Sequence, residues 1–302
     1  MHELVDECQT EPILMKKCQT IGEHLYVKPN LKLDISSVTK SDLRSIQISF
    51  LMGGGGTRLV HVTNDEISKH MININNKPLS KYTFDLWSSN GFNNFCMLVD
   101  NTYRAKSIKD YYGDGSRFGT TITYSVEHHK LGSGGGIKNA IENGTIENSV
   151  INHFPDDQVI NYEHFARDFA RVFVAAMRAG FDVVVVCVPG KLYPYGEILD
   201  IDGRVVDFVE KPFINKDTNT GIFGISQRIF PLIEALESRK EVKIERTVLK
   251  EVARSGKMFK VLLPTEYWIP VNDEPNLKKF MEIAKKSESN NYLSGLWQPQ
   301  YS

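Results

Sequence analysis

The sequence predicts an α/β protein built on a mixed, mostly parallel sheet covered by helices on both faces. Three observations predict it. From Ile46 onward, short apolar or alternating runs are followed repeatedly by longer helical patterns. The run Val183-Val184-Val185-Val186-Cys187-Val188 is apolar throughout, as in a strand buried on both sides. Tyr162, Phe165, Phe169, Phe173 and Met177 recur at spacings of three and four, which places them on one helix face for packing on a sheet.

The elements follow in order. Residues 46–51 read as a strand that runs into a glycine run, and 78–89 as a helix with Pro78 suited to its first position. Residues 95–100 and 121–126 read as strands, with a helix at 105–112 between them. A helix over 135–143 is expected to stop at Gly144, so Asn143-Gly144-Thr145 reads as a turn and not a glycan acceptor. A strand at 150–154 precedes the aromatic-striped helix at 162–179 and the apolar strand at 183–188. Strands are then expected at 197–200, 205–209, 221–225 and 259–263, with helices at 229–237, 244–255 and 274–285. Residues 1–45 lack a repeating pattern and read as an N-terminal extension, one short helix and a strand packed on a main domain of 46–287. The tail, 288–302, offers Trp297 and Tyr301 for packing on a second copy or on its own domain.

Composition narrows the function. The 302 residues carry 36 Lys+Arg against 37 Asp+Glu, so the surplus of positive charge that a general nucleic-acid binder needs is missing. A helical span needs about 20 apolar residues in a row, and the longest apolar strand is far shorter, so no membrane partner is expected. No basic segment followed by an apolar core opens the chain. Cys8, Cys18, Cys96 and Cys187 are scattered and form no CxxC pair, as expected of reduced thiols in the cytoplasm.

The chemistry concentrates at Leu51-Met52-Gly53-Gly54-Gly55-Gly56-Thr57-Arg58-Leu59. Four glycines after a strand let the main chain approach a ligand closely, and their consecutive N–H groups suit an anion. Arg58 adds a cation with a planar donor fork. The run is not a Walker A loop, since Arg58 and Leu59 stand where Gly and Lys should, and it does not fit GxGxxG.

Gly53 to Leu59 resembles the G-G-x-G-T-R-L motif of the sugar-1-phosphate nucleotidyltransferases. Further elements resemble that family in order: Lys69 within Ser68-Lys69-His70, Leu131-Gly132-Ser133-Gly134-Gly135-Gly136, Tyr195-Gly196, Glu210-Lys211-Pro212 and Asn219-Thr220-Gly221-Ile222. The resemblance implies a Rossmann-like three-layer α/β/α nucleotide-diphospho-sugar transferase fold. It implies condensation of a nucleoside triphosphate with a sugar 1-phosphate, giving a nucleoside-diphosphate sugar and pyrophosphate. Arg58, Lys69 and Asp156 are then the catalytic residues. Gly53, Gly54, Gly55, Gly56, Thr57, Glu127 and Gly132 would hold the nucleotide, and Gly196, Glu210, Lys211 and Asn219 the sugar phosphate. A carboxylate at Glu127 accepts hydrogen bonds only, which points toward the N–H groups of guanine.

One part of the pattern is broken. The family holds Mg²⁺ with two aspartates. Asp156 matches the first within Phe154-Pro155-Asp156-Asp157, whereas Pro270 in Trp268-Ile269-Pro270 stands at the second. Mg²⁺ binds through one or two carboxylates plus substrate oxygens and water, so Asp157 or Asp273 is the expected substitute. A second reading, of another class, is a nucleotide-binding regulatory relative; retention of Arg58, Lys69, Lys211 and Asp156 favours the enzyme.

Overall fold

The computed structural model describes residues 18–28, 33–53, 57–64, 66–154, 158–238 and 240–287. Its strands are β1 (Gln19–Ile21), β2 (Leu25–Val27), β3 (Gln47–Leu51), β4 (Asn73–Ile74), β5 (Lys77–Pro78), β6 (Asn94–Asp100), β7 (Thr121–Glu127), β8 (Val150–His153), β9 (Gln158–Ile160), β10 (Val183–Val188), β11 (Lys191–Leu192), β12 (Glu197–Ile201), β13 (Arg204–Val209), β14 (Phe213–Ile214), β15 (Thr218–Ile225), β16 (Met258–Leu262) and β17 (Trp268–Pro270). The helices are α1 (Lys40–Arg44), α2 (Val60–Thr63), α3 (Leu79–Ser89), α4 (Tyr103–Tyr112), α5 (Gly132–Glu142), α6 (Phe165–Arg178), α7 (Phe230–Glu234), α8 (Val248–Arg254) and α9 (Glu274–Ser287).

Nine strands form one sheet in the order β1–β2–β16–β10–β15–β8–β3–β6–β7. β7, β6, β3 and β8 are parallel neighbours, and β10 is parallel to β16. β15 runs antiparallel to both β8 and β10, so those two strands share a direction. The result is the expected mixed, mostly parallel sheet.

Strand alternation divides the apolar residues between two cores, one on each face. Phe95, Met97 and Val99 of β6 join Phe84 and Trp87 of α3, Ile108 and Tyr112 of α4, and Phe165, Phe169 and Phe173 of α6. Cys96 and Leu98 point the other way, to Ile137 and Ala140 of α5, Ile233 of α7 and Val252 of α8. The aromatic stripe therefore packs as expected. Each fully buried Phe contributes about 1.5–3 kcal/mol relative to exposure.

Several boundaries differ from expectation. Pro78 is the residue before α3, in extended conformation, and pairs with Asn73 in a two-residue ladder. Its fixed φ serves the entry to the helix, not its first turn. α5 begins at Gly132, because packing against a distant segment overrides the low helix propensity of its glycines. It ends as expected: Asn143 is its C-cap and Gly144 has φ +73°.

The described part of the extension is a hairpin plus α1, where one strand and a helix were expected. Strands of three residues leave too little alternation to detect. β2 joins the sheet where Tyr26 pairs with Leu262 of β16. The hairpin turn covers a buried carboxylate. Tyr162 Oη donates to Asp168 Oδ2 at 2.5 Å and accepts from Glu23 N–H at 3.0 Å. Gly22 has φ +62°, and a Cβ there would stand 1.9 Å from Asp168 Oδ2, so both conformation and space require glycine.

Candidate active site

Because β15 is reversed, its amino end lies at the sheet edge where the parallel strands have their carboxyl ends. Leu51, Asp100, Glu127, His153 and Val188 close their strands at this edge, and Asn219 is the second residue of β15 there. Ligands of open α/β sheets bind outside the carboxyl ends of strands. A cavity of about 440 Å³ opens beyond β3, β6 and β7, lined by Gly53, Glu127 and Gly132 among others. Three predicted nucleotide-binding positions from three separate motifs thus meet on one wall. Gly54, Gly55 and Gly56 lie outside the described residues. Thr57 and Arg58 follow in a 3₁₀ turn, Thr57–Leu59, with the Arg58 side chain exposed.

Glu127 sits at the closest part of this wall. Its Oε2 accepts from Leu131 N–H at 3.3 Å. A Cβ on Gly136 would lie 2.4 Å from its Oε1, and one on Gly53 would lie 3.9 Å away. The absence of a side chain at Gly136 therefore makes room for the carboxylate, whereas the approach to Gly53 is ordinary contact. Burial pushes the Glu127 carboxyl above the usual range; the Leu131 N–H pulls it back and the Asp100 charge adds to the rise.

The second glycine run does something the sequence did not reveal. The segment around Val242 lies across the N-terminus of α5. Val242 N–H donates to Leu131 O at 2.7 Å, and Val242 O accepts from Gly134 N–H at 2.8 Å. Ile244 N–H donates to Ser133 Oγ at 3.2 Å, which donates to Glu245 Oε2 at 2.8 Å. A Cβ on Gly132 would lie 2.7 Å from Val242 O. Gly132 and Gly134 thus admit a crossing main chain, and the N–H groups of Gly134 and Gly135 in the first turn both point to the Val242 carbonyl.

A third, smaller core sits under the remaining motifs. Leu59, Ile72, Val159 and Ile269 pack together with Leu277 and Phe280 of α9. Leu59 follows Arg58, Ile72 is three residues past Lys69, Val159 leads back toward Asp156, and Ile269 precedes Pro270. The sequence segments that carry Arg58 and Lys69 therefore share one packed unit with the ribbon of β9 and β17. Lys69 occupies the first position of a 3₁₀ turn, Lys69–Met71, and is partly buried. His61 Nε2 lies 3.0 Å from Glu274 Oε2, joining α2 to α9.

Asp156 and Asp157 lie outside the described residues. Asp273, the other expected metal ligand, is engaged in capping a helix. Its Oδ1 accepts from Asn276 N–H at 3.0 Å in the first turn of α9. Among the described residues no three His, Cys, Asp or Glu side chains are grouped to hold a metal ion. His153 is buried and accepts from Trp87 Nε1 at 3.0 Å.

The predicted sugar-phosphate residues stand apart from the cavity wall. Glu210 and Lys211 follow β13, both exposed, with Lys211 Nζ 4.0 Å from Glu210 Oε1 and φ +49° at Lys211. Gly196 precedes β12, and a Cβ there would lie 2.5 Å from the Phe208 ring and 3.3 Å from Glu210 Oε2. Asn219 Oδ1 accepts from Gly221 N–H at 2.9 Å. The β12–β13 hairpin that carries the first three projects into solvent, with Ile198, Leu199, Ile201, Val205, Val206 and Phe208 all exposed.

The sequence motifs missed Asp100, Arg104, Lys130 and Glu241, which also line the cavity. Asp100 closes a strand of the parallel sheet, so its position alone was a usable signal. Glu241 carried none, since it arrives through the crossing segment. It pairs with Lys130 at 2.9 Å.

A cavity lined by Gly53 and Gly132 at the carboxyl ends of parallel strands is where open α/β sheets bind their ligands. Comparison with known proteins makes the class specific. Residues 50–290 match the family model described as "Nucleotidyl transferase", and the chain belongs to that family, among the sugar-1-phosphate nucleotidyltransferases. The chain is 32% identical over 183 residues to a D-glycero-alpha-D-manno-heptose 1-phosphate guanylyltransferase of Aneurinibacillus thermoaerophilus, covering 60% of this chain and 74% of that protein. It is 26% identical over 243 residues to a UTP--glucose-1-phosphate uridylyltransferase of Synechocystis sp., covering 75% of this chain and 60% of that protein. The inositol-1-phosphate CTP transferase of T. maritima superposes with a TM-score of 0.59 at 17% identity, over 82% of this chain and 98% of that one, which shows the shared fold. Among the described residues no helix is long and apolar enough to cross a membrane.

Proposed function

We propose that this protein transfers a guanylyl group from GTP to a sugar 1-phosphate. The phosphate dianion of the sugar attacks the α-phosphorus, a new P–O bond forms, and the α–β bond breaks to release pyrophosphate. A phosphate dianion is already a nucleophile, so no general base is needed. Arg58 and Lys69 neutralise the charge that gathers on the triphosphate, and Lys211 receives the sugar phosphate. Gly53 to Gly56 and Thr57 bring the main chain against the phosphates. Glu210, Asn219 and Gly196 contact sugar hydroxyls.

Divalent metal is a general requirement of this family. When bound, a divalent ion such as Mg²⁺ would supply positive charge against the triphosphate. Asp156 is the proposed ligand, with Asp157 beside it. Asp273 is the weaker candidate, since one of its oxygens already caps a helix.

The observation that carries the reading is the meeting of Gly53, Glu127 and Gly132 on one cavity wall. Glu127 favours guanine, because an acceptor-only carboxylate matches two adjacent N–H groups. The name of the Aneurinibacillus relative agrees with that base. The test is pyrophosphate release with each common nucleoside triphosphate and a panel of sugar 1-phosphates, the heptose and mannose compounds first. GTP is expected to be the preferred donor, and Arg58→Ala is expected to suppress turnover at least 100-fold, on the order of one lost transition-state donor. Preference for another base, or full activity in Arg58→Ala, defeats the corresponding part.

A further inference from the structure

The cavity wall holds a cation that no motif supplied. We propose that Arg104 determines base choice, donating to the O6/N7 edge of guanine while Glu127 accepts from the N1–H and N2–H edge. The proposal rests on the reading of this cavity as the nucleotide site.

Arg104 is the second residue of α4 and follows closely on Asp100, the last residue of β6. Asp100, Asn101, Thr102 and Arg104 all line the cavity. The connection is pinned: Asp100 Oδ1 accepts from Thr102 N–H at 3.0 Å and from its Oγ1. Arg104 is half-buried, with its Nε enclosed in the wall. The Arg104 side chain therefore springs from a short, hydrogen-bonded turn, and its Nε lies inside the wall.

Two further basic groups line the wall. Lys130 pairs with Glu241 at 2.9 Å, and His129 Nε2 lies 3.4 Å from Ser238 O. A guanidinium carries five N–H donors in a rigid plane. It can keep a protein partner and still present a parallel pair. Such a pair matches O6 and N7 of guanine, the contact arginine makes with guanine in nucleic acids.

The pairing with Glu127 selects among bases. The wall offers a pair of acceptors from one side chain and a pair of donors from another. Guanine has two N–H groups on one edge and two acceptors on the next. Adenine would turn its N1 acceptor toward the carboxylate. Uracil and thymine place one N–H between two carbonyls, and cytosine sets one amino group beside an acceptor. Guanine alone satisfies both side chains.

The test uses the full-length protein and calorimetric binding of GTP, ATP and 7-deaza-GTP. Wild type should bind 7-deaza-GTP, which lacks the N7 acceptor, more weakly than GTP. Arg104→Met, which keeps an apolar stem, should weaken GTP roughly 5- to 100-fold and change ATP less than about twofold. It should also stop distinguishing GTP from 7-deaza-GTP. Arg104→Lys should recover little of the preference, because a point charge lacks the fork. Equal losses for GTP and ATP in Arg104→Met would make Arg104 a phosphate or ribose contact and overturn the inference. So would equal wild-type affinity for GTP and 7-deaza-GTP, a measurement that needs no variant to fold. Wild type that binds no triphosphate at all would instead remove the reading of the cavity itself.

Discussion

Pro270 is the register partner of Gln158 in the antiparallel ribbon of β9 and β17. The chain that leaves Asp156 and Asp157 thus runs directly beside the position where the family carries its second aspartate, and that position offers no ligand. Pro270→Asp is expected to lower the Mg²⁺ concentration for half-maximal turnover by roughly tenfold, since Mg²⁺ is commonly held by one or two carboxylates. Mn²⁺ binding followed by paramagnetic resonance checks the same change without turnover. An unchanged metal requirement would separate this ribbon from the ion.

The burial of Glu127 ties nucleotide binding to stability. Its carboxyl is raised above the usual range, so the folded state holds the proton more tightly than the unfolded one. That contribution is fully present below the unfolded value near 4.5 and is lost as pH rises through the folded value. At neutral pH the ionised side chain is therefore a cost to the fold. Glu127→Gln is expected to raise the melting temperature at pH 7 and to bind GTP roughly tenfold more weakly, the scale of hydrogen bonds to a charged group. In wild type, GTP affinity should fall on acidification, beginning above pH 4.5.

Gly132 and Gly136 separate two kinds of constraint. Gly132 has φ +75° and faces the Val242 carbonyl, a main-chain atom that cannot retreat. Gly132→Ala should cost about 1–3 kcal/mol of stability, read from the urea midpoint. At Gly136 the obstacle is the end of the Glu127 side chain, which can swing away. Gly136→Ala should leave the urea midpoint close to wild type and still weaken GTP. Equal destabilisation by both variants contradicts this distinction.

Tyr162 links the N-terminal hairpin to the buried Asp168. Tyr162→Phe removes the donor to that carboxylate and the acceptor of Glu23 N–H. A loss of about 1–3 kcal/mol is expected, because a buried acceptor loses a partner. Amide exchange should accelerate first in Gln19–Val27; uniform acceleration across the sheet would show that the hairpin is not a separable unit.

Much of this was legible in the sequence. The strands at Gln47–Leu51 and Val183–Val188, the aromatic face of α6 and the turn at Gly144 follow from local periodicity and turn chemistry. So did the meeting of Gly53, Glu127 and Gly132, through motifs. What escaped depends on contacts distant in the chain. The three-residue strands of the N-terminal hairpin have too little pattern, and β9 with β17 is defined only by their mutual pairing. Val242 reaches α5 through a segment with no motif of its own. Arg104 lies just before the helix expected at 105–112 and belongs to no motif; only the strand ends place it on the cavity.

The Val242 carbonyl has a further consequence. It takes two of the leading N–H groups of α5, those of Gly134 and Gly135, so that helix end has less partial charge to offer a polyphosphate. Attraction of an anion into the cleft then falls more to side chains such as the half-buried Arg104 and the exposed Lys130 on its wall, and ordinary salt screens the field of an exposed charge over about 8–10 Å. Capture of a highly charged substrate by this protein should therefore slow steeply as ionic strength rises.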